Sequence, residues 1–249
     1  NLLFLTDTLT SYQYDFFDEL YKYFDLRVIV LNKNKYKNYN FKFPKKKYTI
    51  FLEEKLNNRD KIKNIIKIYS PSRIIYCGYR IKYSFLIKKL IKSKKVKFYY
   101  WLERINKEEK LKLYLISKVL KRILKDADGI FAIGKEALRF YKKFNLNVID
   151  LPYAIKIKKK IKKKKSGKLN FLFAGQLIRR KGVDIFINTL KKIKIKNLKH
   201  CNFTVVGNGN YRDEVIKLKR FLPNFKYYKF MKNHDLKKLY KDSNILIFP

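Results

Sequence analysis

Short apolar runs alternate with longer amphipathic runs along the whole chain, and this alternation constrains the fold more than any other feature. The apolar runs are continuous and rich in β-branched and aromatic residues, which is typical of strands buried on both faces. Seven of them are predicted to be strands, at residues 2–5, 26–31, 48–52, 73–77, 96–101, 129–133 and 147–151.

The segments between these runs carry apolar residues at helical spacing. Ile62, Ile65, Ile66 and Tyr69 recur along one side of a segment whose lysines lie opposite, and residues 108–128 repeat the pattern. Such spacing predicts amphipathic helices. Strands and helices in regular alternation predict a doubly wound α/β domain, with a parallel sheet covered on both faces, over residues 1–154.

A basic run separates this domain from a second α/β segment. Residues 155–168 read IKIKKKIKKKKSGK, a like-charged stretch that repels itself and predicts an inter-domain linker. A basic strip facing a membrane is the alternative. The alternation restarts at residues 170–174, continues at 203–206 and stops at 244–248, so residues 169–249 are expected to form a partial second domain.

The net charge of +42 points to a phosphate-bearing partner, in nucleic acid, anionic lipid or a phosphorylated substrate. The same excess of lysine, together with abundant isoleucine, asparagine, tyrosine and phenylalanine, is what an AT-rich coding genome produces without selection for binding. The net charge by itself therefore does not indicate a function. A basic nucleic-acid-binding protein stays an alternative, although the sequence shows no zinc-finger, ribonucleoprotein or helix-turn-helix pattern.

The cellular location is constrained by what the sequence lacks. No run reaches the 18 or so apolar residues that a membrane-spanning helix needs. The two cysteines, Cys77 and Cys201, are far apart and predict neither a disulfide framework nor a zinc cluster. We expect a cytoplasmic protein.

Because the chain lacks an initiator Met and stops at a strand, we also expect it to be a fragment.

Two loops that follow predicted strands are candidate ligand sites, because ligands of open α/β sheets bind beyond the carboxyl ends of the strands. The first reads AGQLIRRKGVD at residues 174–184, where a glycine ends the strand and three cations precede a helix start. Glycine allows a ligand to approach the backbone, and cations neutralise a pyrophosphate. The second loop, VGNGN at residues 206–210, is weaker evidence, since a tight turn also explains its glycines.

Several stretches, in order, resemble one protein family, the group 1 (family four) retaining glycosyltransferases of the GT-B fold. FLFAGQLIRRKGVDIFINTL is similar to the donor phosphate loop of that family, and FTVVGNGNYRDEV to the strand, loop and helix that follow. KNHDLKKLYKDSNILIFP is similar to the elements before its acidic donor-binding motif, and LKDADGIFAIGKEALRFY and LNVIDLPYAI to the end of its acceptor domain. The resemblance implies two Rossmann-like domains that face a cleft, the second one truncated.

The resemblance also implies roles for residues of the second half. Lys181 matches the lysine that contacts the donor diphosphate, and Gly175 the glycine beside the donor. Gln176 stands where the family usually has arginine, so one cation is missing there, and Arg179 or Arg180 is expected to replace it. Further donor contacts are expected at Gly207, Gly209 and Met231.

On the acceptor side, the loop after the first strand carries Thr10, Ser11 and Tyr12 where the family often has glycines. Glu103, at the end of a later strand, is the best candidate for an acceptor-side catalytic carboxylate. A salt bridge with the neighbouring Arg104 is the competing interpretation.

The implied activity is transfer of a hexose from a nucleotide diphosphate sugar to a cell-surface glycan or lipid-linked acceptor, as in lipopolysaccharide assembly. The donor phosphate would accept the acceptor proton, so neither a metal nor a cofactor is expected, and Lys181 would stabilise the leaving diphosphate. Lysine-rich helices such as residues 83–95 could hold the protein at the inner membrane face, although burial of their apolar positions against the sheet is the favoured interpretation. A sugar-nucleotide epimerase is a further alternative. Because the family's acidic donor residues would follow Pro249, the fragment alone is expected to be inactive.

Overall fold

The computed structural model describes most of the chain. The described residues are 1–31, 44–52, 58–78, 80–92, 95–104, 110–124, 126–144, 147–154, 167–222 and 224–248, without the side chains of residues 11, 110–116, 195 and 233. The chain divides into two compact units, Asn1–Ile157 and Lys158–Pro249.

The first unit is built on a seven-stranded parallel sheet in the order β3-β2-β1-β4-β5-β6-β7. Its strands are β1 (Leu2–Thr6), β2 (Leu26–Val30), β3 (Thr49–Phe51), β4 (Arg73–Cys77), β5 (Lys97–Leu102), β6 (Gly129–Ala132) and β7 (Val148–Asp150). β1 lies inside the sheet between β2 and β4, with Leu2 opposite both Leu26 and Arg73. The chain turns outward from β1 in both directions, which is the arrangement of a doubly wound domain.

Both faces of this sheet are buried by helices. The helices are α1 (Ser11–Leu20), α2 (Asn58–Tyr69), α3 (Ile81–Ile91), α4 (Lys110–Leu124) and α5 (Lys135–Tyr141). Because neighbouring strand residues point to opposite faces, Leu3 and Leu5 pack with α2 to α5, whereas Leu2 and Phe4 pack with α1. This two-sided burial is the reason the strands read as continuous apolar runs.

The second unit has a four-stranded parallel sheet in the order β10-β9-β8-β11. The strands are β8 (Leu169–Ala174), β9 (Cys201–Val206), β10 (Phe225–Tyr228) and β11 (Ile245–Leu246), and the helices are α6 (Val183–Lys192), α7 (Arg212–Lys217) and α8 (Asn233–Asp242). Its core contains Phe173, Phe186 and Val205 from one face of the sheet and from α6. The other face carries polar side chains, including Asn202, which donates to Asn170 Oδ1 at 2.7 Å.

The predicted α/β class with two doubly wound parallel sheets is confirmed, and all ten predicted strands are present. β10 was not predicted. Its sequence, FKYY, is half-buried at alternate positions and has no β-branched residue, so it lacks the continuous apolar signature of the other strands. Nearly all of the predicted linker, residues 155–168, lies outside the described residues.

Of the two interpretations of the apolar positions between residues 83 and 95, burial against the sheet is the one that the structure shows. Leu86 and Ile87 are buried in the core of the first unit, and Leu90 and Ile91 pack against it. They face the sheet because the sheet needs an apolar cover. Within the described part of the chain, no helix combines the length and the apolar character needed to cross a membrane.

The aromatic packing between α1 and β1 should contribute strongly to the stability of the first unit. Phe17 is fully buried, with its ring centroid 5.0 Å from that of Phe4 in an edge-to-face contact. We expect Phe17→Ala to lower the free energy of unfolding by about 3–5 kcal/mol, because it removes a buried ring and leaves a cavity. Phe24→Ala, at an exposed ring nearby in sequence, should change it by less than about 0.5 kcal/mol. Urea unfolding checks both, and equal effects would contradict this packing.

Candidate functional site

Each unit carries a candidate site at the carboxyl edge of its own sheet. In the second unit, β8 ends at Ala174 and the loop from Gly175 leads through a 3-10 turn at Arg179–Lys181 to Gly182. Gly182 has φ +67°, a left-handed conformation that glycine adopts without strain, and α6 begins at the next residue. The three consecutive cations are therefore placed at the entrance to a helix N-terminus, which favours anions.

This loop is joined to the second candidate loop by backbone hydrogen bonds. Leu177 N–H donates to the Asn208 carbonyl at 2.9 Å, and Tyr211 N–H donates to the Leu177 carbonyl at 3.0 Å. Gly175 N–H donates to the Val206 carbonyl at 2.9 Å. The two loops predicted to touch the donor are thus held side by side and would move as one surface.

The three candidate glycines stand in different surroundings. A Cβ on Gly207 would overlap the Gly175 carbonyl oxygen, and one on Gly209 would overlap the Leu177 carbonyl oxygen. Glycine is therefore required at both positions by loop packing alone, and their donor contact stays a prediction. A Cβ on Gly175 would find only a carbon of Phe173, at 4.0 Å. Packing therefore does not require glycine at 175, and its contact with the donor also stays a prediction.

The cations of the donor loop differ in how firmly they are held. The Lys181 ammonium lies 5.2 Å from the ring centroid of Phe248, a cation–π arrangement that leaves its charge available. Arg179 Nε lies 3.8 Å from an oxygen of Asp184, and its side chain is 87% exposed. Arg180 is exposed and Gln176 half-buried. Met231 follows β10, whose Tyr228 carbonyl accepts the Gly207 N–H at 2.9 Å, and so lies at the same sheet edge.

In the first unit, four strand ends surround a cavity of about 300 Å³. The ends of β1, β4 and β5 and the loop after β7 supply its walls. The lining residues are Thr6, Asp7, Thr8, Thr10, Tyr12, Gln13, Cys77, Gly78, Trp101, Leu102, Glu103 and Tyr153. Three of the predicted acceptor-side residues, Thr10, Tyr12 and Glu103, are thereby brought together. The side chain of Ser11, the fourth, lies outside the description.

Glu103 is held by tyrosines. The Tyr153 hydroxyl donates to Glu103 Oε1 at 2.9 Å, and the Tyr141 hydroxyl donates to the Glu103 backbone carbonyl at 2.9 Å. Arg104 instead pairs with Glu136 at 3.3 Å. The alternative that Glu103 forms a salt bridge with its neighbour is thus not found. Burial, with Tyr12 and Glu103 nearby, raises the pKa of Tyr153 far above its ordinary value, so the phenol is a neutral donor.

The remaining wall of the cavity is aromatic and polar. The ring centroid of Tyr153 lies 4.6 Å from that of Tyr12 and 5.3 Å from that of Trp101. Thr10 is fixed at the start of α1, where its N–H and hydroxyl both donate to Gln13 Oε1 at 2.9 Å. Asp7 pairs with Arg80, with Nε and Oδ2 3.1 Å apart.

Sequence reasoning missed Tyr153 as a member of this cavity, whereas Asp7 and Gln13 belong to the segment after the first strand that it expected near the acceptor. Tyr153 had an available signal, since it follows a predicted strand whose end must lie at the same edge as the others. Among the described residues, no three His, Cys, Asp or Glu side chains form a group that could hold a metal ion. That the reaction needs no metal or cofactor stays a prediction.

The second unit is similar to a known protein family. Residues 154–249 match the family of group 1 glycosyl transferases. The match includes the loop from Gly175 to Gly182 and all strands of the second unit. The matched segment makes up less than half of the chain, so it shows a likeness of the second unit to that family. No curated protein matches the chain by sequence.

Solved structures have the same fold at low sequence identity. The chain is similar to WaaG, a glycosyltransferase involved in lipopolysaccharide biosynthesis, with 14% identity and a TM-score of 0.64, over 100% of this chain and 75% of WaaG. It is similar to HepE of Anabaena, crystallised with UDP and glucose, with 13% identity and a TM-score of 0.63, over 99% of this chain and 73% of HepE. The likeness to S. aureus TarM, with 16% identity and a TM-score of 0.56, covers 77% of this chain but only 40% of TarM. At these identities the likeness shows the fold alone.

The contrast between the glycines can be tested by stability. We expect Gly175→Ala to change the free energy of unfolding by less than about 1 kcal/mol, because its Cβ enters open space. Gly207→Ala should lower it by about 1–3 kcal/mol, because the Cβ forces the two loops apart. Denaturant titration of both variants measures this. A marked loss of stability for Gly175→Ala would assign that glycine to packing as well.

Proposed function

We propose that the protein is a glycosyltransferase that moves a hexose from a nucleotide diphosphate sugar to a cell-surface glycan or lipid-linked acceptor. The observation that carries the proposal is the donor loop. In this loop, loop packing does not require the glycine at 175, and three consecutive cations precede the N-terminus of α6. The loop lies inside the segment that matches the group 1 family. The UDP and glucose bound to HepE give the donor class its support.

The donor diphosphate would lie on the backbone at Gly175, with Lys181 and the exposed arginines neutralising its charge. Arg179 is the better replacement for the arginine missing at Gln176, because it is exposed and only loosely paired with Asp184. Met231, at the neighbouring strand end, would face the nucleotide base. The Phe248 ring holds the Lys181 ammonium group through the cation–π contact.

The reaction would retain the anomeric configuration. The bond between the sugar C1 and the phosphate oxygen breaks, a bond from C1 to the acceptor oxygen forms on the same face, and the acceptor proton passes to the leaving phosphate oxygen. This route needs no side-chain base and no metal. It requires only that positive charge stabilise the diphosphate as it leaves, which is the role we assign to Lys181.

Peripheral binding at the cytoplasmic face of a membrane, and lipopolysaccharide as the product class, are part of the proposal. WaaG, a lipopolysaccharide enzyme, is among the structural neighbours. On α3, Ile81 and Phe85 are exposed, and the Arg122 guanidinium lies 5.5 Å from the Phe85 ring centroid. An exposed aromatic ring among basic side chains suits an anionic lipid surface.

The alternatives have less support. A nucleic-acid-binding protein has the net charge in its favour, but the sequence shows no zinc-finger, ribonucleoprotein or helix-turn-helix pattern. A sugar-nucleotide epimerase would use the same fold and donor, and differs in converting the donor without an acceptor.

Nucleotide binding tests the donor site. Titration of the protein with UDP, GDP, ADP and dTDP by calorimetry should give micromolar affinity for one of them. We expect Lys181→Ala to weaken that affinity by about 10- to 100-fold, because a charge-assisted contact to the diphosphate is lost.

Two variants make this test specific. Lys192→Ala removes the same charge from the far end of α6, at an exposed side chain, and should leave the affinity unchanged. Gly175→Ala should weaken nucleotide binding while the fold stays intact. Binding of no diphosphate, or equal losses in the two lysine variants, would contradict the donor site.

The chemical step is tested by adding a chelator and by omitting the acceptor. With a donor and an acceptor that support turnover, we expect EDTA to leave the rate unchanged and NMR of the product to show a retained anomeric centre. Donor conversion that is equally fast without acceptor would favour the epimerase. Loss of activity with EDTA, restored by a divalent cation, would contradict the metal-independent mechanism.

A further inference from the structure

The loop at residues 206–210 contains the one Asn-Gly pair of the sequence, Asn208 and Gly209. Each of the other asparagines is followed by a residue that has a side chain. An asparagine can react with the backbone nitrogen of the next residue, because that nitrogen lies within reach of the side-chain carbonyl carbon. A glycine nitrogen is the least hindered, since no Cβ stands beside it. Deamidation of this chain is therefore chemically easiest at Asn208.

The reaction needs only water as a co-reactant. The Gly209 nitrogen bonds to the side-chain carbonyl carbon of Asn208 and gives up its proton, and the side-chain nitrogen leaves with that proton as ammonia. Water then opens the resulting succinimide ring at one of its two carbonyl carbons. Opening at the former side-chain carbonyl gives aspartate. Opening at the backbone carbonyl gives isoaspartate, in which the chain continues through the former side chain and the old backbone carbonyl becomes a free carboxylate.

The structure leaves both reacting groups free. Asn208 is exposed in the loop between β9 and α7. Within the described part of the chain, neither its side-chain amide nor the Gly209 N–H forms a hydrogen bond. Asn210 is exposed in the same loop, but it is followed by Tyr211, whose N–H donates to the Leu177 carbonyl at 3.0 Å. Asn208 should therefore react well before Asn210.

The loop has no room for the isoaspartate product. The Asn208 carbonyl accepts the Leu177 N–H at 2.9 Å, and a Cβ on Gly209 would overlap the Leu177 carbonyl oxygen. Isoaspartate adds one carbon to the backbone between these two contacts, so they cannot both be kept. It also converts the accepting carbonyl into a charged carboxylate. The contact that joins this loop to the donor loop is the one that the product disrupts.

We infer that Asn208 is a site of spontaneous deamidation, and that its products weaken the binding of a diphosphate at the donor loop. Both products add a negative charge to a loop that is bonded to the loop carrying Arg179, Arg180 and Lys181. Isoaspartate in addition displaces the backbone. The modification is independent of the proposed function, whereas its effect on donor binding rests on that function.

Incubation of the full chain for several days at mildly alkaline pH tests the modification, because the attacking nitrogen loses its proton more readily there. Trypsin releases residues 200–212 as one peptide, HCNFTVVGNGNYR, which contains Asn202, Asn208 and Asn210. Tandem mass spectrometry then locates the replacement of NH₂ by OH. We expect it at Asn208, with Asn202 and Asn210 unchanged. An isoaspartyl methyltransferase, which methylates the isoaspartate carboxylate, separates the two products.

Diphosphate affinity is measured on the same samples with the ligand selected from UDP, GDP, ADP and dTDP. We expect the isoaspartate form to bind at least about tenfold more weakly than fresh protein, because both the charge and the loop path change. Asn208→Asp supplies the charge without the extra backbone carbon, and should weaken binding by about two- to fivefold, the effect of one exposed charge.

Two glutamine variants control for other effects of ageing. Asn208→Gln keeps an amide but disfavours ring closure, so it should keep its affinity through the incubation. Asn210→Gln makes the same change two residues away and should lose affinity as fast as the wild type.

An Asn208 that stays unmodified, or an Asn210 that reacts equally fast, would overturn the inference. Equal loss of affinity in wild type and Asn208→Gln would overturn the effect on binding. If fresh protein binds none of the four diphosphates, the proposed donor site fails together with that effect, while the peptide masses still decide whether Asn208 is modified.

Discussion

The burial of both faces of a parallel sheet is the constraint on which the rest of the first unit depends. Each strand must be apolar on both sides, and each must return in the same direction through a helix, so all carboxyl ends lie on one edge. β1 lies inside that sheet between β2 and β4, and it is followed by Asp7 and by Tyr12 at the start of α1. Tyr12 and Tyr153, which are far apart in sequence, therefore come into contact because the sheet places the residues after β1 and β7 at the same edge.

The second unit reaches a similar result by a different device. Its two loops are brought together because Gly207 and Gly209 have no side chains, which lets their backbones contact the carbonyl groups of Gly175 and Leu177. That contact fixes the path of the first loop and leaves Gly175 accessible beside Lys181. The loop from Gly175 to Gly182 therefore presents three consecutive cations beside an accessible backbone, in keeping with the diphosphate ligand proposed for it.

Sequence patterns predicted the strands that read as continuous apolar runs and missed the one strand among the described residues that does not. Residues 73–77 were predicted with the bounds that the structure shows, because the four positions after Arg73 are buried or half-buried. β10 escaped, since only alternate residues of FKYY are half-buried. The same limit affects side-chain partners. The sequence suggested Arg104 for Glu103 because the two are adjacent, but adjacent residues at the end of a strand point in different directions.

By itself, the sequence determined the order of strands and helices, the class of fold and the residues that follow each strand, because these depend on local periodicity and on burial of apolar runs. The resemblance to group 1 glycosyltransferases added the expected role of Lys181. Only the tertiary structure decided that Tyr153 orients Glu103, that Gly207 is needed for packing while Gly175 is not, and that Thr10, Tyr12 and Glu103 line one cavity. These features are contacts between residues far apart in the chain, and their distances follow from how the sheet edge is assembled, which no local pattern encodes.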